Sequence, residues 1–221
     1  MAKVEIDTLY PIVDHMAFSP NERRLAIAFC TISPMGACRD STLWIWNLET
    51  NQTKAIGSSL GAITSLVFSP NGELLATAIE NSVVQLWVVD AKSGRDIFPG
   101  PKSPTPDLTR ALFSPDGNML ITIGRSRIDL WNLQGTLLGS IAAHSEFIAD
   151  VVINEDGSKL VTLGCDIEDQ LTYTCAQSSV RIWRIWPNTG ALLAEADRRL
   201  ASRTFTASEC QDYLSPNECP P

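Results

Sequence analysis

The sequence predicts an all-β fold made from one four-stranded unit used four times, and three observations predict it. Four segments repeat: VDHMAFSPNERRLAIAF, ITSLVFSPNGELLATAI, LTRALFSPDGNMLITIG and IADVVINEDGSKLVTLG. Each leads into a strand-like run ending near a tryptophan, namely TLWIWNL, VVQLWVV, RIDLWNL and VRIWRIW. The aligned residues Trp46, Trp87, Trp131 and Trp183 are 41, 44 and 52 residues apart. That is close to the period of a four-stranded propeller blade. An ordinary antiparallel sandwich is the competing architecture, but sandwiches do not repeat a Trp-ended strand at this spacing.

Taken in chain order, the first element is Lys3–Thr8, which alternates polar and apolar residues and reads as a strand able to close the last unit. Inside each unit two short apolar runs flank Pro-Asn, Pro-Asp-Gly or Glu-Asp-Gly. Pro presets φ, Asn and Asp tolerate the left-handed region and Gly adopts it freely, so each pair of runs reads as a hairpin. The Trp-ended run is the third strand. TKAIG after Trp46 and TLLGSI after Trp131 supply a fourth. The units span about residues 10–57, 58–98, 107–141 and 142–187 of a 1–187 domain. Between the second and third lies Phe98-Pro99-Gly100-Pro101-Lys102-Ser103-Pro104-Thr105-Pro106, whose prolines oppose sheet pairing and favour an extended connector. Residues 188–221 form a tail of different character. Leu192, Leu193, Ala196 and Leu200 fall at helical spacing, and Thr206-Ala207-Ser208-Glu209 is a capping-box pattern for a short helix ending near Ser215-Pro216.

The pattern x-F-S-P-D/N-G-x-x-L-A-T-x … L-W-x-L resembles the WD-repeat family of β-propellers over roughly residues 10–187. The repeats are degenerate. Asn47, Val88, Asn132 and Arg184 stand where the family has the Asp of its Trp-Asp pair. The family's Gly-His survives once, as Ala143-His144, and its tight-turn Asp once, as Asp40, with Asn81 and Gln177 in that place elsewhere. The resemblance implies structural roles for His144, Asp40, Trp46, Trp87, Trp131 and Trp183. It also implies a His–Ser/Thr–Asp–Trp network, which the sequence leads one to expect complete in no unit. WD-repeat rings usually have seven or more blades, so three arrangements are open: a four-bladed ring, two chains forming eight blades, or the C-terminal part of a longer propeller. The tail signature R-x-F-T-x-S-E-C-x-x-Y-L … E-C-P resembles the ends of bacterial, especially cyanobacterial, WD-repeat proteins that carry an upstream signalling module. No phosphate-binding Gly-rich loop and no Cys/His dyad with a local signature is present in this sequence.

Two units are longer than the others between their second and third strands. Phe68 to Trp87 is 19 residues and Phe113 to Trp131 is 18, whereas Phe18 to Trp46 is 28 and Ile153 to Trp183 is 30. The extra segments are TISPMGACRD and CDIEDQLTYTCAQ. Equivalent loops of a propeller open on one end, so both are expected on one face. Recognition residues concentrate on such loops. The partner-binding candidates are therefore Met35, Arg39, Asp166, Glu168, Asp169 and Tyr173. Loop-length drift and a solvated acidic face are the plainer alternatives. The D-x-E-D spacing lacks the Gly and terminal Glu of a calcium loop, and no Cys pair has zinc-type spacing, so no metal is expected. One insertion, with the residue just before it, holds Cys30 and Cys38, the other holds Cys165 and Cys175, and Cys210 and Cys219 lie in the tail. Reduced thiols are the expectation for a chain with a real core and no signal peptide, with disulfides as the alternative.

With 17 Lys+Arg against 25 Asp+Glu and a formal charge of −8, the chain lacks the basic footprint of a nucleic-acid binder. No apolar run approaches the roughly 20 residues that span a membrane. MAKVEIDTLY has no signal-peptide apolar region, which leads to an expected cytoplasmic location. His15 and His144 share no motif and give poor material for acid–base chemistry. The expected function is a non-catalytic scaffold or sensor without cofactor, binding protein partners through one propeller face and able to self-associate through open edges. The alternatives are a hydrolase with a channel site and a truncated relic.

Overall fold

The structure is a computed structural model that describes residues 11–32, 38–79, 83–90, 108–169, 172, 174–186 and 197–198. The chain divides into two units, Met1–Ile185 and Trp186–Pro221. The expected closing strand at 3–8 and the proline-rich connector lie outside the described residues. So do the expected tail helices, apart from Asp197 and Arg198, which are helical.

Among the described residues the first unit is all β, in four antiparallel sheets. The first sheet runs β1 (Pro11–Phe18), β2 (Arg24–Ile32), β3 (Cys38–Asn47), β4 (Gln52–Leu60). The second runs β5 (Ile63–Phe68), β6 (Leu74–Ile79), β7 (Val83–Val88). The third runs β8 (Arg110–Phe113), β9 (Met119–Ile123), β10 (Arg127–Asn132), β11 (Leu137–Ala142). The fourth runs β12 (Phe147–Ile153), β13 (Lys159–Glu168), β14 (Cys175–Arg184). Every strand pairs with its sequence neighbour, as short polar turns dictate.

The Ser-Pro-Asx turn has a definite hydrogen-bond logic. The buried Ser69 hydroxyl donates to Asn71 Oδ1 and accepts from the amide of Leu74. Ser19 with Asn21 and Ser114 with Asp116 repeat the arrangement. In the fourth sheet Asn154 replaces the serine and accepts from the Lys159 amide itself. The third turn position needs positive φ: Gly72, Gly117 and Gly157 are at +72°, +72° and +70°, whereas the first turn holds Glu22 there at +56°. A register shift recurs at one place in the first strands, between Val13/His15, Ile63/Ser65 and Ile148/Asp150. Such a bulge bends the strand locally.

The core is three apolar layers, each between consecutive sheets. Ala26, Ala28, Leu43 and Ile45 meet Ile63, Phe68, Leu75 and Trp87. Ala76, Ala78, Val84 and Leu86 meet Ala111, Phe113, Leu120 and Trp131. Met119, Ile121 and Ile128 meet Val151, Leu160 and Trp183. Trp87, Trp131 and Trp183 thus each face the preceding sheet. The Trp87 ring lies so close to Gly57 of β4 that a Cβ there would sit 2.0 Å from it.

Candidate functional site

The long second hairpins of the first and fourth sheets arise where the sequence places the insertions. Cys30 and Cys165 fall five residues after Leu25 and Leu160, which oppose Trp46 and Trp183, so they occupy equivalent places in β2 and β13. Disulfides join Cys30 to Cys38 and Cys165 to Cys175. This corrects the expectation of reduced thiols for these four residues; Cys210 and Cys219 lie outside the described residues. Each bond ties the two strands together near the turn end of their ladder.

Beyond the second clamp the acidic residues serve three different purposes. Asp166 is turned inward. Its carboxylate accepts from the Ser179 hydroxyl and pairs with Arg181 at 2.8 Å and with His144 Nδ1 at 3.2 Å. His144 Nε2 lies 2.9 Å from Thr162 Oγ1, which also accepts from Trp183 Nε1 at 3.0 Å. One proton assignment satisfies every atom: Trp183 donates to Thr162, Thr162 donates to His144, and His144 donates to Asp166. The network expected to be complete in no unit is therefore complete in the fourth sheet. The departure arises because Asp166, in the insertion, takes the place that Gln177 leaves without an acid. The Ser179 hydroxyl, the Ser145 amide, His144 and Arg181 hold the Asp166 carboxyl below the usual carboxylate range, against the opposing effect of burial.

Glu168 reaches Arg125 in the β9–β10 turn at 3.6 Å. Asp169 closes the hairpin, accepting from the Thr172 amide while its own amide donates to Thr174 O. Arg39 lies in β3; Met35 and Tyr173 lie outside the described residues. Asp40 is half-buried in β3 between Thr31 and Leu60. Among the described residues of the second and third sheets, the network's members are Trp87 donating to Thr77 and Trp131 donating to Thr122. In the first, Ile27 occupies the threonine's place and Trp46 donates to Asn51.

The first strands of all four sheets, β1, β5, β8 and β12, line a cavity of about 660 Å³. Its polar wall includes Ser65 and the pair Arg110–Asp150 at 2.8 Å. His15 lines it too, with Nδ1 3.6 Å from Asp14. Asp150 spends its carboxylate on Arg110 and on the amide of Val151, not on His15. Among the described residues no group of His, Cys, Asp and Glu could hold a metal, and no helix is long and apolar enough to cross a membrane.

These features resemble those of WD-type propeller sheets, and comparisons with known proteins point the same way. The family described as WD domain, G-beta repeat matches residues 51–87. The COMPASS component SWD3 of Saccharomyces cerevisiae (strain ATCC 204508 / S288c) is 29% identical over 121 residues, covering 53% of this chain and 37% of SWD3. A chain in the crystal structure of a mitotic checkpoint complex superposes with a TM-score of 0.54 at 17% identity, covering 78% of this chain and 46% of that one. The chain therefore spans less than half the length of either protein.

The sequence missed Arg181 and Ser179 as partners of Asp166, and it missed Arg110–Asp150. One signal was available: a threonine recurs two residues after the aligned leucines, at Thr77, Thr122 and Thr162.

Proposed function

We propose that this chain is a four-bladed, non-catalytic protein-interaction scaffold that binds a protein partner on the rim carrying its two clamped hairpins. The observation that carries this reading is the pair of disulfides at equivalent positions of the first and fourth sheets. A loop closed by a disulfide loses less conformational freedom when it binds, so less of the contact energy is spent on ordering. Arg39 and the apolar, half-exposed Ile167 stand on these hairpins. Asp166 is a support of this surface and not a contact. The similar proteins are, by their descriptions, members of multiprotein assemblies, which favours a binding role. The likeness of the tail to bacterial WD-repeat proteins makes the chain part of a larger signalling protein in this reading. The two disulfides weigh against the expected cytoplasmic location, because such bonds persist in oxidising compartments. The test is co-purification of partners from the native cell with the full chain and with a variant whose residues 33–37 and 169–173 are replaced by short Gly-Ser links. Loss of the partner is expected; unchanged recovery would remove the rim from consideration.

A further inference from the structure

Three times in this chain the same two surfaces meet. The face of one sheet that carries Val84 and Leu86, or their equivalents, covers the face of the next that carries Phe113 and Trp131, or theirs. The fourth sheet presents the first kind of face with none of the described residues packed on it. Val180 and Ile182 stand three and one residues before Trp183, as Val84 and Leu86 stand before Trp87. Val84 and Leu86 are 0% and 3% exposed; Val180 and Ile182 are 65% and 70% exposed. The first sheet presents the second kind of face. Phe18 is 63% exposed where its equivalents Phe68 and Phe113 are 6% and 7%. One chain thus carries both halves of a fourth interface at its two ends.

The charges at these ends match as well. Where the first sheet meets the second, Arg24 at the start of β2 pairs with Asp90, three residues after Trp87, at 2.8 Å. Lys159 holds the place of Arg24 in the fourth sheet, with Arg184 directly across from it. Glu49, three residues after Trp46, holds the place of Asp90 in the first sheet, where it is also paired with Arg23. We propose that a second copy of this chain docks head to tail, the outward face of the fourth sheet of one copy on the outward face of the first sheet of the other. Lys159 then meets Glu49 of the second copy as Arg24 meets Asp90. Done reciprocally, this joins two chains through two like interfaces, because a head-to-tail contact closes when the rotation permits. One feature opposes it. Where Pro20, Pro70 and Pro115 rest on Gly72, Gly117 and Gly157 inside the chain, the new contact sets Glu155 beside Glu22. Both glutamates are on the exposed rim, where screening keeps such repulsion small. The inference does not depend on the rim-binding reading above.

The experiment is sedimentation equilibrium of the full chain over a wide concentration range, with circular dichroism to show that each variant stays folded. The wild type is expected at twice the 24.1 kDa chain mass. Phe18→Asp and Ile182→Asp, each at an exposed position, are each expected to return the mass to one chain. Mixing these two variants leaves one interface intact and is expected to restore a two-chain species. Lys159→Glu is expected to weaken association at least tenfold, and Glu49→Lys combined with Lys159→Glu in one chain to recover it. A single-chain mass at every concentration overturns the proposal, leaving the faces to the chain's own residues 187–221 or to another polypeptide. So does an assembly that both face variants leave unchanged.

Discussion

Thr162 is the residue on which the fourth sheet's polar network turns. Its hydroxyl is fully buried, accepts from Trp183 and faces His144, so removing it strands the buried His144 ring and the half-buried Trp183 nitrogen at once. Thr162→Val should lower stability by about 1–3 kcal/mol in urea denaturation. Thr77→Val strands the Trp87 nitrogen but has no histidine partner to lose, and should be milder. Equal losses would mean that the His144–Asp166 arm adds nothing. Glu22 is a different kind of residue, one that its backbone fits poorly. At a φ of +56° it sits where the other turns have glycine. Glu22→Gly should raise stability by about 0.5–1 kcal/mol, since the left-handed strain removed exceeds the added chain entropy. A lower midpoint would show that the Glu22 side chain holds the turn.

At the scale of elements, two features fix how hairpins and sheets sit. β4 carries Gly57 under the Trp87 ring, and a methyl there has no room. Gly57→Ala must push Trp87 or β4 aside, with an expected loss of about 1–3 kcal/mol and a shifted tryptophan emission, the usual range for overpacking. The disulfides bound the hairpins. Under non-reducing conditions the unfolded chain should expose at most the two thiols of Cys210 and Cys219; six would overturn both bonds. Replacing Cys165 and Cys175 together by serine should cost about 2–3 kcal/mol, the range for closing a loop near ten residues. It should also weaken partner recovery if the clamped rim binds. The hairpins themselves were plain in the sequence, because Phe-Ser-Pro-Asn-Gly encodes its own turn through the Ser69 hydroxyl and the Gly72 backbone. The disulfides were not, because identical spacing serves free thiols equally well and only the pairing of β2 with β3 and of β13 with β14 brings the sulfurs together.

For the whole molecule, the periodicity of apolar residues revealed the stacked sheets, since each strand alternates toward one neighbour and then the other. It could not reveal the role of Asp166, because a carboxylate in an insertion has no fixed address relative to the repeat. That residue leaves a mark on the acid stability of the fold. Ser179 and its other partners lower the Asp166 pKa from the ordinary 3.8, and Arg110 does the same for Asp150, as Ser158 does for Asp156. Burial opposes ionisation of Asp116, yet the Ser114 hydroxyl and Asn118 prevail and lower it too. A carboxyl whose pKa is lower when folded binds its proton more readily when unfolded. Its stabilisation is whole above the unfolded value and is lost as pH falls through the folded one. The melting temperature should therefore hold steady from neutrality down to about pH 4 and fall steeply below it. Asp166→Asn should lower the neutral melting temperature by breaking the Arg181 and His144 contacts, and should make the acid limb shallower because one of the protonations that drives it is gone. An unchanged acid limb in that variant would show that the Asp166 carboxylate does not contribute to stability through its charge.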